Sequence, residues 1–285
     1  MNLHRKRGIG QSTRTSRPVY LAVMLTRPAI PGTAVAGGDV SVTISDGIGT
    51  ITFGHPKSNS LPGALLQRLA DAVAWLGKDL GARVIVLRSD GAGPFCAGAS
   101  FDELVGIASV AQGREFFSGF ARVILAMIRA PKFVIVRVHG RTAGGGVGIV
   151  AAGDYTFAVH GASAKLSELA IGIGPFVVGP VIERRIGHGP YAAMSVDADW
   201  RDAAWGERHA LYSRVFDDIA SMDAAINALA GTLAASNPDA MAAMKRVFWA
   251  GTDDWDEMLA ERATMSGTLA LSDFTRQAIA KFKGR

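Results

Sequence analysis

Two glycine-containing turns in the middle of the chain constrain its fold more than any other feature. The first spans residues 95–100 and reads FCAGAS, and the second spans residues 139–146 and reads HGRTAGGG. Each follows an apolar run of β type and leads towards a helical pattern. Small residues leave the backbone N–H groups uncovered at such points, so a ligand can approach them closely. Two amides directed at one point would form an oxyanion hole.

The segments around these turns predict alternating strands and helices. Residues 40–44 and 49–53 read as two strands, because the Asp46-Gly47 pair between them is a typical hairpin turn. Residues 61–76 carry apolar side chains at helical spacing. Further strands are predicted at residues 84–87, 133–138 and 155–159, and further helices at residues 116–128 and 146–152. This alternation is typical of a parallel sheet flanked by helices, so we expect an α/β fold.

Beyond about residue 190 the predicted pattern becomes entirely helical. The main helical segments are residues 223–235, 238–249 and 255–283. A chain of 285 residues can bury a substantial core. We therefore predict three parts, which are an extension over residues 1–38, an α/β core over residues 39–190 and a helical region over residues 191–285.

The N-terminal extension accounts for the formal net charge of +5. Residues 1–38 hold six basic side chains and no acid, so the remaining residues hold 24 basic and 25 acidic groups, a net charge of −1. A nucleic-acid-binding protein should carry its basic face on the folded part, so we expect no nucleic-acid partner. The extension is rich in Ser, Thr, Pro and Gly and is predicted to be disordered. RNA binding through it and a mitochondrial transit peptide are the alternatives.

Several classes of site are excluded by composition. Apolar runs stay well below the roughly 18 residues that a membrane-spanning helix needs, so no membrane partner is expected. The single cysteine, Cys96, rules out an intrachain disulfide and fits a reducing compartment. We expect a cytoplasmic protein, with the mitochondrial matrix as the alternative. The chain shows no metal-ligand spacing and no dinucleotide-binding fingerprint, so we predict neither a metal nor a cofactor.

Four segments in the same order resemble the crotonase superfamily, also called the enoyl-CoA hydratase/isomerase family. They are the two glycine turns, the upstream residues 55–61 (HPKSNSL) and the downstream residues 167–173 (SELAIGI). The resemblance runs from about residue 40 to the C-terminus. It implies a β-β-α spiral core followed by a C-terminal helical region that builds a trimer or a dimer of trimers. It also implies an acyl-CoA thioester as partner, with coenzyme A entering as part of the substrate.

The resemblance implies three catalytic groups. In relatives, one oxyanion amide belongs to the residue after the Ala-Gly pair, here Ala99, and the other to the middle glycine of the triple, here Gly145. The downstream glutamate, here Glu168, moves a proton on the substrate. On the residues alone, Glu168 is equally well a surface helix cap or half of a salt bridge. A carboxylate in a dry pocket has a raised pKa, which suits proton transfer near neutral pH.

One position departs from the pattern of typical hydratases. Those relatives carry a second glutamate three positions after the middle glycine, where this chain has Gly148. A single carboxylate still suffices to isomerise a 3-enoyl thioester, by taking a proton from C2 and returning it to C4. Hydration would need a replacement acid, for which Asp102, Glu103 and Glu115 are the candidates.

The resemblance also implies contacts to coenzyme A, from the N-terminal half of the matched region and from its C-terminal end. The candidate residues are Lys57, Ala97, Gly98, Gly144, Lys281 and Phe282. In relatives, a lysine upstream holds the pyrophosphate, the backbone of the first turn receives adenine, and a C-terminal element closes over the nucleotide. His139 and Cys96 are predicted to be packing residues.

The sequence therefore predicts an acyl-CoA enzyme, either an enoyl-CoA hydratase or an enoyl-CoA isomerase, of fatty-acid or branched acyl-CoA catabolism. A single glutamate would act as its acid and base. The alternative is a non-catalytic acyl-CoA-binding protein. Gly148 permits that alternative, whereas Glu168 in an apolar segment argues against it.

Overall fold

A computed structural model describes residues 37–283 of the chain. Its strands are β1 (Asp39–Ser45), β2 (Ile48–Gly54), β3 (Val84–Ser89), β4 (Val134–Val138), β5 (Thr142–Ala143), β6 (Tyr155–Val159), β7 (Ser163–Lys165), β8 (Arg201–Asp202) and β9 (Arg214–Phe216). Almost all of the predicted extension, residues 1–36, lies outside the described residues. The expectation of disorder there stays a prediction.

Eleven helices are found within the described residues. The first six are α1 (Gly63–Lys78), α2 (Phe101–Gly106), α3 (Val110–Arg129), α4 (Gly145–Ala151), α5 (Gly179–Ile186) and α6 (His188–Asp197). The other five are α7 (Ala203–Arg208), α8 (Ile219–Ala234), α9 (Pro238–Phe248), α10 (Trp255–Ala270) and α11 (Asp273–Lys283). A single 3₁₀ turn covers Leu169–Ile171. None of the described helices has both the length and the apolar character needed to cross a membrane.

The strands form a six-stranded and a three-stranded sheet. The large sheet has the order β1-β2-β3-β4-β6-β9, in which β1 and β2 are antiparallel and every later neighbour is parallel. The small sheet has the order β5-β7-β8. The predicted hairpin is confirmed, because Asp46 and Gly47 both have positive φ values, 52° and 80°, which a type I′ turn requires. The parallel strands of the large sheet and the helices between them confirm the predicted α/β class.

The prediction of an entirely helical region after residue 190 is wrong. Strand β8 joins the small sheet and β9 pairs with β6 at the edge of the large sheet. β9 has only three residues, which is too short to show an alternating pattern in the sequence. The predicted boundary between core and helical region at residue 190 stays a prediction.

The predicted helix over residues 255–283 is in fact two helices. Helix α10 ends at Ala270, and Ser272 Oγ accepts a hydrogen bond from the Thr275 amide at 3.3 Å at the start of α11. A serine hydroxyl that satisfies an early amide is a common N-terminal cap, so the break has a local cause. Both helices belong to the C-terminal helical region that the resemblance implies, while its trimeric assembly stays a prediction.

The C-terminal helices pack against the core close to the second glycine turn. A Cβ atom built on Gly113 of α3 would lie 2.5 Å from the Cα of Gly267 in α10, so the two helix backbones are in direct contact. Helix α11 lies over the segment after the 3₁₀ turn, where a Cβ on Gly172 would lie 2.5 Å from the Phe274 ring. These contacts let the C-terminal region close one side of a cavity in its own core.

Candidate active site

The two glycine turns lie side by side at the wall of a cavity of about 370 Å³. The Ala143 amide donates a hydrogen bond to the Cys96 carbonyl at 2.9 Å, which ties one turn to the other. Gly98 has φ +91°, and a Cβ there would lie 3.0 Å from the Ala143 carbonyl oxygen. Only glycine combines this backbone conformation with so close an approach. The contact between the two turns therefore explains why the first turn has a glycine at position 98.

The cavity wall is largely apolar and aromatic. Its aromatic members are Phe101, Phe116, Phe117, Phe120, Phe176 and Trp200. Among the described residues that line it, Glu168 is the only acid and Lys165 is the only cation. A cavity of this size with few polar groups is typical of a small-molecule site.

Two backbone amides at this wall are available to a ligand. Ala99 and Gly145 both line the cavity, and within residues 37–283 neither amide donates a hydrogen bond to another protein group. The Leu61 amide bonds the Gly98 carbonyl at 2.8 Å and so holds the first turn in place. Gly145 is the first residue of α4, so its N–H points out of the positive end of a helix. A Cβ on Gly145 would lie 2.2 Å from the Phe120 ring, which leaves room for glycine alone.

Glu168 supplies the single carboxylate of the cavity. It stands at the start of the 3₁₀ turn, where its carbonyl accepts hydrogen bonds from the amides of Ile171 at 3.2 Å and Ile173 at 2.9 Å. Its Oε2 is buried and has no hydrogen-bond partner among the described residues. Its Oε1 faces Gly144, on which a Cβ would lie only 3.3 Å away.

The environment of Glu168 prepares it for proton transfer. Burial raises the pKa of its carboxyl from 4.5 to about 7, although the backbone amides of Glu168 and Ser167 act in the opposite direction. A carboxyl with a pKa near the working pH can both accept and return a proton. The alternative readings of Glu168, as a surface cap or salt-bridge partner, are wrong, because its side chain caps no helix and it forms no salt bridge with a described residue.

Position 148 has no room for a second glutamate. A Cβ on Gly148 would lie 2.6 Å from Val178 Cγ1 and 3.3 Å from Ile124 Cδ1. Both side chains are buried. The missing carboxylate is thus replaced by packed hydrocarbon and not by an open space that water could enter.

The three candidate replacement acids lie elsewhere. Asp102 forms a salt bridge with Lys57, and Glu103 Oε2 accepts a hydrogen bond from the Gly63 amide at 2.8 Å. Glu115 pairs with an arginine of its own helix at 2.8 Å. None of the three lines the cavity. The structure does not bring them together with Glu168.

The residues implied in coenzyme A binding divide into two groups. Ala97, Gly98 and Gly144 line the cavity next to the two free amides. Lys57 lies outside it, in its exposed salt bridge, and Lys281 is exposed on α11. The side chain of Phe282 lies outside the described part of the structure. Their roles in binding remain predictions.

His139 and Cys96 are buried outside the cavity wall, as predicted. The His139 ring lies 3.2 Å from a guanidinium nitrogen of Arg137, and burial, with that positive charge, lowers its pKa. Burial raises the pKa of the Cys96 thiol to about 12. A thiol with that pKa is not a nucleophile at neutral pH. Among the described residues, no cluster of His, Cys, Asp and Glu is arranged to hold a metal ion.

Sequence analysis predicted none of the aromatic side chains of the wall and not its cation, and Lys165 and Trp200 are a contacting pair among these. Lys165 ends β7 and Trp200 precedes β8, and their ammonium and indole groups are 5.9 Å apart. The pairing of β7 with β8 brings them together. No local pattern marks either residue, because the contact depends on two strands that are 35 positions apart along the chain.

Comparisons with known proteins agree with this geometry. Residues 43–284 match the family model described as enoyl-CoA hydratase/isomerase. A hydrolase of (7aS)-7a-methyl-1,5-dioxo-2,3,5,6,7,7a-hexahydro-1H-indene-carboxyl-CoA from Rhodococcus jostii is 33% identical over 46% of this chain and 51% of its own length. The mitochondrial methylglutaconyl-CoA hydratase of Homo sapiens is 34% identical over 41% of this chain and 34% of its length.

Solved structures extend the likeness to most of the fold. An enoyl-CoA hydratase from Mycobacterium avium superposes with a TM-score of 0.75 and 26% identity, covering 86% of this chain and 96% of that protein. The chain spans about half the length of the Rhodococcus relative. The family match covers both glycine turns, Glu168 and the C-terminal helices. The chain belongs to the enoyl-CoA hydratase/isomerase family of the crotonase superfamily.

Proposed function

We propose that the chain acts on an enoyl-CoA thioester and moves its double bond by one-base proton transfer. The observation that carries the proposal is Glu168, the only acid in the wall, with one buried oxygen that has no described partner. The packed side chains beside Gly148 support it, because they leave no space for a second carboxylate.

The proposed mechanism uses three groups of this chain. The amides of Ala99 and Gly145 donate to the thioester oxygen, which carries more negative charge as the enolate forms. Glu168 takes the proton from C2 of a 3-enoyl thioester and returns it to C4. The double bond shifts from C3–C4 to C2–C3, and no atom is gained or lost. The helix that begins at Gly145 stabilises the same charge.

Thioester hydrolysis is the second candidate. It is favoured by the name of the Rhodococcus relative, which is a CoA hydrolase. In that reaction, Glu168 would take a proton from water as the water attacks the thioester carbonyl, and the CoA thiol would leave. The same amides would stabilise the tetrahedral intermediate. Hydration of a 2-enoyl thioester is the third candidate reaction.

One experiment separates these reactions. The protein is incubated in heavy water with a 3-enoyl-CoA and, separately, with a 2-enoyl-CoA of equal length, and products are read by mass spectrometry and with a thiol reagent. Formation of the conjugated 2-enoyl thioester from the 3-enoyl-CoA, read by its ultraviolet absorbance and without added water, supports isomerisation, and deuterium at C4 then measures how far the Glu168 proton exchanges with solvent. Gain of a whole water shows hydration. Release of free thiol shows hydrolysis. The protein adds little background to that reading, because its one cysteine is buried.

Matched variants test the role of Glu168. Glu168→Gln keeps the size of the side chain and should abolish whichever reaction is found. Glu115→Gln removes an exposed glutamate and should leave the rate unchanged. Full turnover by Glu168→Gln would contradict the proposed mechanism. Tight binding of CoA thioesters with no turnover by the unaltered protein would favour the acyl-CoA-binding alternative.

A further inference from the structure

One positive charge lies in the cavity wall without a negative partner. Lys165 is half-buried, and its carbonyl accepts a hydrogen bond from the Gly144 amide at 2.9 Å, beside the second glycine turn. Its ammonium forms no salt bridge with any residue of the described part of the chain. An anionic group of a ligand in the cavity would give this ammonium a charge-assisted hydrogen bond.

Trp200 holds this ammonium at the cavity. The Lys165 Nζ lies 5.9 Å from the centre of the Trp200 ring, and the Arg141 guanidinium lies 5.5 Å from the same ring. Cation–π contacts of this kind orient a charge but do not neutralise it. Trp200 is 40% exposed and lines the cavity, so the ammonium beside it is reachable by a ligand.

The neighbouring carboxylates are already engaged. Asp197 forms a salt bridge with Arg201, four residues further on, and that bond chiefly lowers the pKa of Asp197, with Lys165 adding a smaller part. Asp199 accepts a hydrogen bond from the Trp200 amide at 2.8 Å. Lys165 therefore has no direct salt-bridge partner among the described residues, and its charge acts on Asp197 only from a distance.

We propose that Lys165 binds an anionic group of the bound thioester, and that this group is a carboxylate at the far end of a short acyl chain. The substrate class would then be enoyl-CoA thioesters of dicarboxylic acids. This assignment rests on the proposed function of the same cavity. Lys165 is the only cation among the described residues that line the cavity, because Arg141 contacts the same ring but does not line the wall, so the wall offers one positive charge for one carboxylate.

The spacing along the chain bears on the length of the acyl group. Lys165 and Glu168 are three residues apart, so their Cα atoms are separated by at most about 11 Å. This short separation favours a short acyl chain, and a five-carbon dicarboxylic thioester is therefore the test case. A long unbranched acyl chain would instead leave the ammonium without a partner.

The test compares two five-carbon thioesters that differ in one carboxylate. Binding of glutaryl-CoA, valeryl-CoA and free CoA is measured by calorimetry, and kcat/KM is measured with two five-carbon 3-enoyl thioesters, one with and one without a terminal carboxylate (pent-3-enedioyl-CoA and pent-3-enoyl-CoA). The variants are Lys165→Met, which removes the charge, and Lys165→Arg, which keeps it. Lys78→Met is the matched control, because it removes an exposed lysine at the end of α1, remote from the wall.

We expect Lys165→Met to weaken glutaryl-CoA binding about 10- to 100-fold, the usual value of a hydrogen bond to a charged group, and to leave valeryl-CoA within about threefold. Lys165→Arg should retain most of the preference, which also shows that the altered site still folds. Equal weakening of all three ligands would overturn the proposal and assign Lys165 to a CoA phosphate. No weakening of any ligand would overturn it outright.

The two proposals fail in different ways. If neither enoyl-CoA reacts but the binding preference for glutaryl-CoA is present and is lost in Lys165→Met, the proposed reaction is wrong and the Lys165 assignment holds. If both enoyl-CoA substrates react with equal kcat/KM in the unaltered protein and in Lys165→Met, the reaction holds and the Lys165 assignment is wrong.

Discussion

Replacing Glu168 by glutamine should raise the stability of the protein in alkaline solution while it abolishes turnover. The reason is that burial raises the pKa of the Glu168 carboxyl from 4.5 to about 7. Below pH 4.5 the carboxyl is protonated in both the folded and the unfolded chain. As the pH rises beyond 4.5 the unfolded chain loses the proton first, which favours unfolding, and this destabilisation is complete once the pH exceeds 7.

The magnitude follows from the two pKa values. One pKa unit corresponds to about 1.4 kcal/mol, so the ionised carboxylate costs the folded state at most about 3 kcal/mol at pH 9. The neutral amide of Glu168→Gln does not titrate, and the variant should escape this cost. The free energy of unfolding of the variant, relative to the unaltered protein, should therefore increase by about 2–3 kcal/mol between pH 5 and pH 9.

The assay is urea unfolding at pH 5, 7 and 9, with kcat/KM measured over the same range. The unaltered enzyme should lose activity below an apparent pKa of about 7, because Glu168 must be ionised to take a proton. Glu115→Gln, which changes an exposed glutamate, should show no such pH-dependent gain in stability. An identical stability difference between Glu168→Gln and the unaltered protein at pH 5 and pH 9 would refute the reasoning.

Three further substitutions test the packing at Gly148, a buried ion pair outside the cavity wall, and the backbone amide of Gly145. Gly148→Glu should lower the free energy of unfolding, measured by urea unfolding, by about 3 kcal/mol and should add no hydration activity, because its Cβ would meet Val178 at 2.6 Å. A stable variant that hydrates would contradict this prediction. Lys245→Ala should lower the free energy of unfolding by about 3–5 kcal/mol, because it leaves the buried Asp154 carboxylate, which Lys245 contacts at 2.6 Å, without its cation. Adding Asp154→Asn to the same chain should restore part of that stability. An unchanged urea midpoint of Lys245→Ala would contradict this role of the ion pair. Gly145→Ala should reduce kcat/KM at least about 100-fold, because the added methyl would meet the Phe120 ring at 2.2 Å and displace the amide that we propose binds the thioester oxygen. Wild-type kinetics would exclude that amide from the mechanism.

The elements that the sequence predicts well are those whose cause is local. The β1–β2 hairpin needs only the positive φ values of Asp46 and Gly47, and α1 needs only apolar side chains at helical spacing. Strand β9 escaped prediction because its three residues become a strand only by pairing with β6, which lies far away in the sequence. The break between α10 and α11 depends on one capping serine in an otherwise helical stretch.

The same distinction between local and tertiary causes applies to the residues of the candidate site. Ala99, Gly145 and Glu168 could be predicted because each lies in one of the short segments that resemble the family, and the structure places all three at one cavity. Lys165 could not, since its meaning depends on Trp200, which reaches it only through the small sheet. The backbone and carboxylate groups that we propose act on the thioester therefore lie in short segments of the sequence, whereas the group proposed to select among thioesters reaches the cavity through a tertiary contact. Because the relatives of this chain include both a CoA hydrolase and a hydratase, the residues that decide its substrate should be sought among side chains that reach the cavity by tertiary contact, as Lys165 does.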